Sequence, residues 1–391
     1  MAASKRIYLD NAATSWPKPD AVYEAIDRYM RVSGAPAGRS VYAEAHQANQ
    51  AVAAARASVA RFIGADDPRR IIFTLNGTEA LNIAIHGLLD EGDHVVTTVA
   101  EHNSVLRPLR ELESTRGVRV DRVTCNARGY VDPDGVRAAL GAKTKLVVLT
   151  HASNVTGTIQ PVADIARIAH ERGALVLVDA AQTLGYLPVH VGELGVDLLA
   201  APGHKGLLGP LGTGLLYLRA GVENKLRSLT QGGTGTQSDQ DRHPQAMPYK
   251  YEAGSSNVPG IVGLSAGIDF LRLQGNKLRI LHQQLTERLV AGLIDIQGVK
   301  VFGPADPTDR VGVVSITIDG YDPQEVAAML DGAHRVQVRA GFHCAPLMHA
   351  AVGTIDLGGA VRFSVGVFNT EADIDAAVAA VAEVAAESAT A

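Results

Sequence analysis

Ala174-Leu175-Val176-Leu177-Val178-Asp179-Ala180-Ala181-Gln182 is an unbroken apolar run that ends in a carboxylate. Apolar residues at successive positions, without polar alternation, read as a strand buried on both faces, the pattern of a parallel sheet. Asp179 then falls at the strand's carboxyl end, where open α/β sheets bind their ligands. A helix cap after a strand is the alternative reading. The same rhythm repeats outward. Apolar runs at residues 70–74, 94–99, 118–123 and 145–150 alternate with helical segments that begin near Thr78, Ser104, Pro133 and Pro161. Strand–helix alternation at this spacing predicts an α/β fold with a mainly parallel sheet covered on both faces. Residues 196–201 and 214–218 add two strands, for seven in all.

A short strand at 7–9 and helices near 21–30 and 43–62 are expected ahead of this region. Beyond about residue 257 the rhythm changes. Two long helical stretches, 258–273 and 278–297, lead to strand 311–318, helix 324–330, strands 336–339 and 361–365, and a helix from Glu371. This change predicts a second, smaller α+β C-terminal domain. At 391 residues, nearly half of them apolar, the chain is long enough for both. A net charge of −5 without a basic cluster gives no reason to expect nucleic acid or an anionic membrane as partner. No uncharged apolar stretch reaches the roughly 18 residues of a membrane span. Met1 to Arg6 is followed by no apolar secretion segment, so the expected location is cytoplasmic. Two cysteines, Cys125 and Cys344, make neither a disulfide framework nor a four-ligand zinc site, and no metal is expected. A single bridge between them stays open beside the plainer reading of two free thiols.

Twenty-six positions after Asp179 comes Gly203-His204-Lys205-Gly206, at the head of a glycine-rich stretch running to Gly214. The chain has nine lysines, and this one sits in a turn rather than on a charged helix face. An acid for a pyridine nitrogen and an amine for an aldehyde are the two anchors of pyridoxal 5'-phosphate. A solvated loop lysine is the alternative. A nucleotide loop is disfavoured, because no Gly-Lys dipeptide exists for a P-loop and no GxGxxG opens the first strand–helix turn. Asn76-Gly77-Thr78-Glu79-Ala80 opens a helix after a strand, the setting in which backbone amides hold phosphate, although a plain N-cap reads the same. Glu101-His102-Asn103-Ser104 and His151-Ala152-Ser153-Asn154 follow the next strands, so polar residues converge on successive strand ends.

Cys344 lies in Val338-Arg339-Ala340-Gly341-Phe342-His343-Cys344-Ala345-Pro346, between a strand and a short helix. A thiol there, beside His343 and near Arg339, has neighbours that favour thiolate. Cys125 ends a strand-like run and reads as packing. Arg362, in a late strand, suits a bidentate clamp on a carboxylate or, equally, a surface ion pair.

Taken together these motifs resemble the class V aminotransferase family within fold type I of the pyridoxal-phosphate enzymes, and more narrowly the SufS-like, group II cysteine desulfurases. The likeness also takes in Tyr8-Leu9-Asp10-Asn11-Ala12-Ala13-Thr14 and Ser153-Asn154-Val155-Thr156-Gly157, and so runs almost end to end. It implies a large domain over residues 15–256 and a small domain from 1–14 with 257–391. Lys205 would bond the cofactor aldehyde, Asp179 pair with the pyridine nitrogen, Gln182 bond the phenolic oxygen and His102 stack on the ring. Thr78 and His204 would hold phosphate, with Ser255 supplied by a second subunit, and Gly77, Asn154 and Ala181 complete the cofactor set. Asn154, Arg362, Arg339 and Asn11 would bind substrate. Cys344 would take sulfur from L-cysteine as a persulfide and release L-alanine.

Three positions depart from the family pattern. Pro202 stands where a hydroxyl is common, the turn at 76–78 has one hydroxyl where two threonines are frequent, and Phe342 replaces a frequent histidine. The expected partners are L-cysteine, a second copy of the chain and a sulfur-acceptor protein. Selenocysteine lyase chemistry, another class V reaction (transamination, epimerisation or β-elimination) with Cys344 incidental, and a non-catalytic scaffold remain the alternatives.

Overall fold

The structure is a computed structural model that describes residues 6–38 and 40–388. The chain enters through β1 (Ile7–Tyr8), α1 (Asp20–Arg28), which continues into a π-helical turn at Tyr29–Ser33, and α2 (Ala43–Phe62). Alternation then begins with β2 (Ile71–Thr74), α3 (Gly77–Leu88), β3 (His94–Thr98), α4 (Asn103–Arg116), β4 (Arg119–Val123) and α5 (Pro133–Ala139). It continues through β5 (Thr144–Thr150), α6 (Val162–His170), β6 (Leu175–Asp179), α7 (Val191–Leu194), β7 (Leu198–Pro202) and β8 (Gly214–Leu218). These seven strands form one sheet in the order β2-β8-β7-β6-β5-β3-β4. It is parallel from β7 through β6, β5 and β3 to β4, and β8 alone runs antiparallel to both neighbours.

The run that opened the sequence reading explains the layering. Val176 and Val178 of β6 pack in the core with Val59 of α2 and Ile165 of α6, while Leu175 and Leu177 pack with Ile85 of α3 and Leu109 of α4 on the opposite face. Each such side chain contributes about 1.5–3 kcal/mol when fully buried, so both faces favour apolar residues and the alternation disappears. The edge strand β4, covered on fewer sides, keeps exposed Arg119 and Asp121.

The second half of the chain holds α8 (Val258–Gln274), α9 (Asn276–Ile294), β9 (Val299–Phe302), β10 (Val313–Ile318) and α10 (Pro323–His334). Then come β11 (Val336–Gln337), β12 (Arg339–Gly341), α11 (Pro346–Ala351), β13 (Ala360–Ser364) and α12 (Glu371–Ser388). An antiparallel sheet, β12-β13-β10-β9, packs Ile316 and Phe363 against Leu289 of α9 and Val381 of α12. β1 pairs in parallel with β11. The expected single strand at 336–339 divides in two, because Val336–Gln337 bonds to β1 and Arg339–Gly341 bonds to β13. β9 was not anticipated: at four residues, Val299-Lys300-Val301-Phe302, it is too short to show a strand pattern, and only Phe302 is buried. Helix α8 lies beyond the expected boundary at 257, yet its Leu264, Ile268 and Leu271 pack in the core of the large sheet. We propose the two-domain division with α8 as the shared element.

The turn after Asp179 and the turn carrying Lys205 are locked back to back. Gly185, at φ +99°, sits so close to Gly206 that a Cβ would collide with the Gly206 carbonyl. This contact fixes the spacing between the two strand ends that matter most for the site.

Candidate active site

The carboxyl ends of β3, β5 and β6 open into a cavity whose walls include His102, Thr150, Asn154 and Asp179. Asp179 is buried at the end of β6; its Oδ1 accepts the Ala181 N–H at 2.9 Å, the one hydrogen bond to its carboxylate among the described residues. Burial pushes its pKa up, opposed by the Ala181 N–H and the Lys205 charge. Lys205 faces the same cavity. Burial pushes its amine from the usual 10.5 down to about 8; the Asp179 carboxylate opposes this, and Arg362 and Arg339 add to it. Gln182 also lines the cavity and donates Nε2–H to the Ala12 carbonyl at 3.2 Å.

His102 is the N-cap of α4, its Nδ1 accepting the Ser104 N–H at 3.0 Å. A nitrogen that accepts carries no proton, so the neutral ring is the Nε2–H tautomer. Burial, then the charges of Lys205, Arg339, Arg362 and Arg107, push its pKa down to about 4, so the ring stays neutral near pH 7.

The turn Asn76-Gly77-Thr78, which begins α3, also lines the cavity. Asn76 caps it by accepting the Glu79 N–H at 2.9 Å, leaving the first-turn amides directed outward at the helix's positive end. Gly77 packs closely there: a Cβ would lie 3.0 Å from Pro202 Cδ and 3.2 Å from Pro202 N, tighter than most such contacts. His204 completes this end; its buried Nδ1 has no partner among the described residues. The His204 carbonyl is gripped by the N-terminal segment, accepting from Ser15 N at 3.1 Å and Lys18 Nζ at 2.7 Å, while Ser15 Oγ donates to the Lys205 carbonyl at 2.9 Å. The backbone around Lys205 is therefore held from outside the cavity.

At the other end Arg362, almost wholly buried in β13, donates from Nη2 to Asp10 Oδ1 at 2.8 Å and from Nη1 to the Asn154 carbonyl at 3.2 Å. Its Nε has no partner among the described residues. Asn154 Nδ2 donates to the His343 carbonyl at 2.6 Å, tying β5's end to the cysteine loop.

Cys344 does not line the cavity itself. It stands behind Arg339, which does, with Arg339 Nη2 3.3 Å from Sγ. His343 and Cys344 both adopt left-handed backbone, φ +48° and +59°, which costs about 1–3 kcal/mol per residue and persists only where the surroundings enforce it. Here Cys344 O accepts the Asn103 N–H at 2.7 Å, and His343 Nε2 donates to the Arg339 carbonyl at 3.1 Å. His343 Nδ1 must then accept, from His349 Nε2 at 3.2 Å, and His349 Nδ1 accepts from the Thr354 hydroxyl at 2.7 Å. Cys125 packs beneath this loop, its Sγ 3.9 Å from Met348 Sδ, and both cysteines are free.

Two more expected residues lie outside the cavity wall. Asn11 is absent from the cavity wall. Its amide donates to the Ser364 carbonyl at 3.0 Å and its Oδ1 accepts the Trp16 N–H at 3.2 Å, so it shapes the bend that presents Ala12 and Ala13. Ser255 is exposed and lines a separate cavity with Thr74, Glu79 and Glu252; Arg56 and the Phe73 N–H hold Glu252 there. Sequence reasoning gave no role to Ser104, whose hydroxyl lies 2.7 Å from Thr78 Oγ1 and 2.8 Å from His102 Nδ1. Its place in the Glu101–Ser104 segment was the available signal.

Among the described residues no helix is long and apolar enough to cross a membrane, and residues 1–5 lie outside that set. Residues 7–377 match the aminotransferase class-V family. The probable cysteine desulfurase of Methanothermobacter thermautotrophicus is 40% identical over 373 residues, covering 94% of this chain and 92% of the relative. That of Halalkalibacterium halodurans is 37% identical, covering 95% and 91%. The apo structure of cysteine desulfurase from Thermococcus onnurineus superposes with a TM-score of 0.92 at 34% identity, covering 98% of this chain and 95% of that one. The seven-stranded sheet and smaller C-terminal α+β unit are thus shared at the level of whole chains. Matched from β1 into α12 in sequence and along nearly its full length in structure, the chain belongs to the aminotransferase class-V family.

Proposed function

We propose that the chain is a cysteine desulfurase that uses pyridoxal 5'-phosphate and passes sulfur from L-cysteine to Cys344. The fit of the cofactor rests on the donor set. A buried carboxylate with a single amide partner suits a pyridinium N–H, the unpartnered His204 Nδ1 and the α3 amides suit phosphate, and the neutral His102 ring suits an aromatic face. When bound, the cofactor supplies an electron sink for charge left on the substrate. Lys205 would hold the cofactor's aldehyde and would carry a proton to or from the substrate carbon. Arg362, with N–H groups to spare, holds the substrate carboxylate beside Asn154. Cys344 Sγ attacks the substrate sulfur. The S–S bond forms as the C–S bond breaks, its electron pair stays on carbon, and a proton on that carbon completes L-alanine.

The observation that carries this reading is Arg339 bridging from the cavity wall to Cys344 Sγ at 3.3 Å, which puts a cation on the sulfur and the sulfur beside the reaction space. Incubation of the loaded enzyme with L-cysteine should yield alanine and protein persulfide in equal amounts in the first turnover. Pyruvate with free sulfide and no persulfide would favour β-elimination instead, and selenocysteine is the natural second substrate to compare.

Two further parts of the reading concern assembly and place. Ser255 is proposed to reach the phosphate of a partner subunit, because it is exposed and away from its own cavity. Light scattering should report a dimer; a monomer with full cofactor occupancy would rule this out. A cytoplasmic site of action and an acceptor protein for the persulfide sulfur complete the proposal.

A further inference from the structure

Lys18 is a half-buried lysine with no carboxylate paired to it among the described residues. Taking an ammonium partly out of water without a counter-charge is unfavourable, and burial pushes its pKa from the usual 10.5 down to about 8. Its two acceptors show what the charge holds. Lys18 Nζ donates to the His204 carbonyl at 2.7 Å and to Ser15 Oγ at 2.6 Å.

The direction of the next bond follows. An ammonium has no lone pair, so Ser15 Oγ accepts from it. The single Ser15 hydroxyl proton then goes to the Lys205 carbonyl, at 2.9 Å, rather than to the His204 carbonyl, at 3.2 Å. The His204 carbonyl also takes the Ser15 N–H at 3.1 Å and the Thr14 hydroxyl at 3.2 Å, both longer than the Lys18 bond. One ammonium therefore holds the carbonyls on both sides of the Lys205 α-carbon, the first directly and the second through a buried hydroxyl. Ala12 and Ala13 line the cavity, but Lys18 does not. It acts through the backbone that it grips.

We propose that Lys18 is a positioning residue for Lys205: its ammonium, directly and through Ser15, fixes both flanking peptide groups and so sets where the Lys205 side chain enters the cavity. A lysine side chain is long, so a small tilt at its α-carbon moves the amine much further. A misplacement of about 1 Å at a reacting atom can cost about 10²-fold in rate. The inference rests on Lys205 taking the aldehyde of pyridoxal 5'-phosphate.

The test follows Schiff-base formation on the unloaded enzyme at pH 7, where Lys18 is still mostly protonated. The probes are pyridoxal 5'-phosphate and pyridoxal, which lacks the phosphate. Lys18→Met, similar in length but apolar, should slow the capture of both probes about tenfold or more per folded molecule. Lys18→Arg, which keeps the charge and the donors, should recover most of that rate. Ser15→Ala, which breaks the link through the hydroxyl alone, should slow both probes by a smaller factor. A loss confined to the phosphorylated probe would mean that Lys18 acts as a charge toward the phosphate, and would overturn the inference. Unchanged capture in Lys18→Met, whatever its melting temperature, would make Lys18 a stabiliser of the fold only, and would overturn it too. Should Lys18→Met not fold, Ser15→Ala decides alone, with unchanged capture of both probes as the overturning result. A wild-type enzyme that captures neither probe would remove the cofactor assignment, and this inference with it.

Discussion

Lys205→Ala should reduce alanine formation from L-cysteine by at least about 10³-fold, the scale of losing a group that both holds and moves protons at the reacting atoms. The same variant should yield no cofactor adduct on borohydride reduction, whereas the wild type should retain the adduct mass on the peptide containing Lys205. The environment of the amine adds a pH signature. The half-buried amine, with two arginines nearby, is pushed by burial from the usual 10.5 down to about 8. Only the unprotonated amine attacks an aldehyde, so below about pH 8 the rate at which unloaded enzyme captures the cofactor should rise about tenfold per pH unit. Above that it should level off. A rate still climbing through pH 10 would show that the amine behaves as a solvated lysine and that burial does not tune it. Residual activity in Lys205→Ala near the wild-type level would remove Lys205 from the chemistry altogether.

Cys344→Ala should leave cofactor binding intact while abolishing persulfide and reducing alanine by at least about 10³-fold, since the acceptor of the transferred sulfur is gone. The separation follows from the architecture. Cys344 stands behind Arg339 and outside the cavity wall, so deleting its sulfur removes no cofactor contact. Its loop is held by the Asn103 amide and the His343–His349–Thr354 chain, none of which needs the thiol. Unchanged turnover in Cys344→Ala, with normal cofactor absorbance, would assign the chain to another class V reaction. Loss of cofactor together with activity would point to a collapsed loop, which Cys344→Ser distinguishes by keeping the shape and a polar tip.

The large sheet was legible because burial on both faces forces apolar runs in its inner strands, while the edge strand β4 shows valines alternating with charged residues. Thr78, His102, Asn154 and Asp179 were legible for a related reason. Each sits just past a strand, and parallel strands deliver their carboxyl ends to one edge. β9 was not legible, since it gains its place only by pairing with β10. Nor was the division at Val338, which depends on two different partners offering hydrogen bonds to consecutive residues. Asn11 carried a convincing motif, and its amide is engaged by the Trp16 N–H five residues on and by the Ser364 carbonyl at the far end of the chain.

By itself, the sequence determined the α/β alternation, Asp179 at a strand end with Lys205 in a glycine-rich turn 26 positions on, and the presence of a thiol on an arginine-bearing loop. These are local facts, set by runs of neighbouring residues. The tertiary structure decided what each group can do. It buried Lys205 and so lowered its pKa, fixed the His102 tautomer by one amide, and set Cys344 behind Arg339 rather than in the wall. It also gave Ser104 a place between two functional groups. The reason is physical: desolvation and hydrogen-bond direction depend on what surrounds an atom in space, and residues far apart in the chain supply those surroundings.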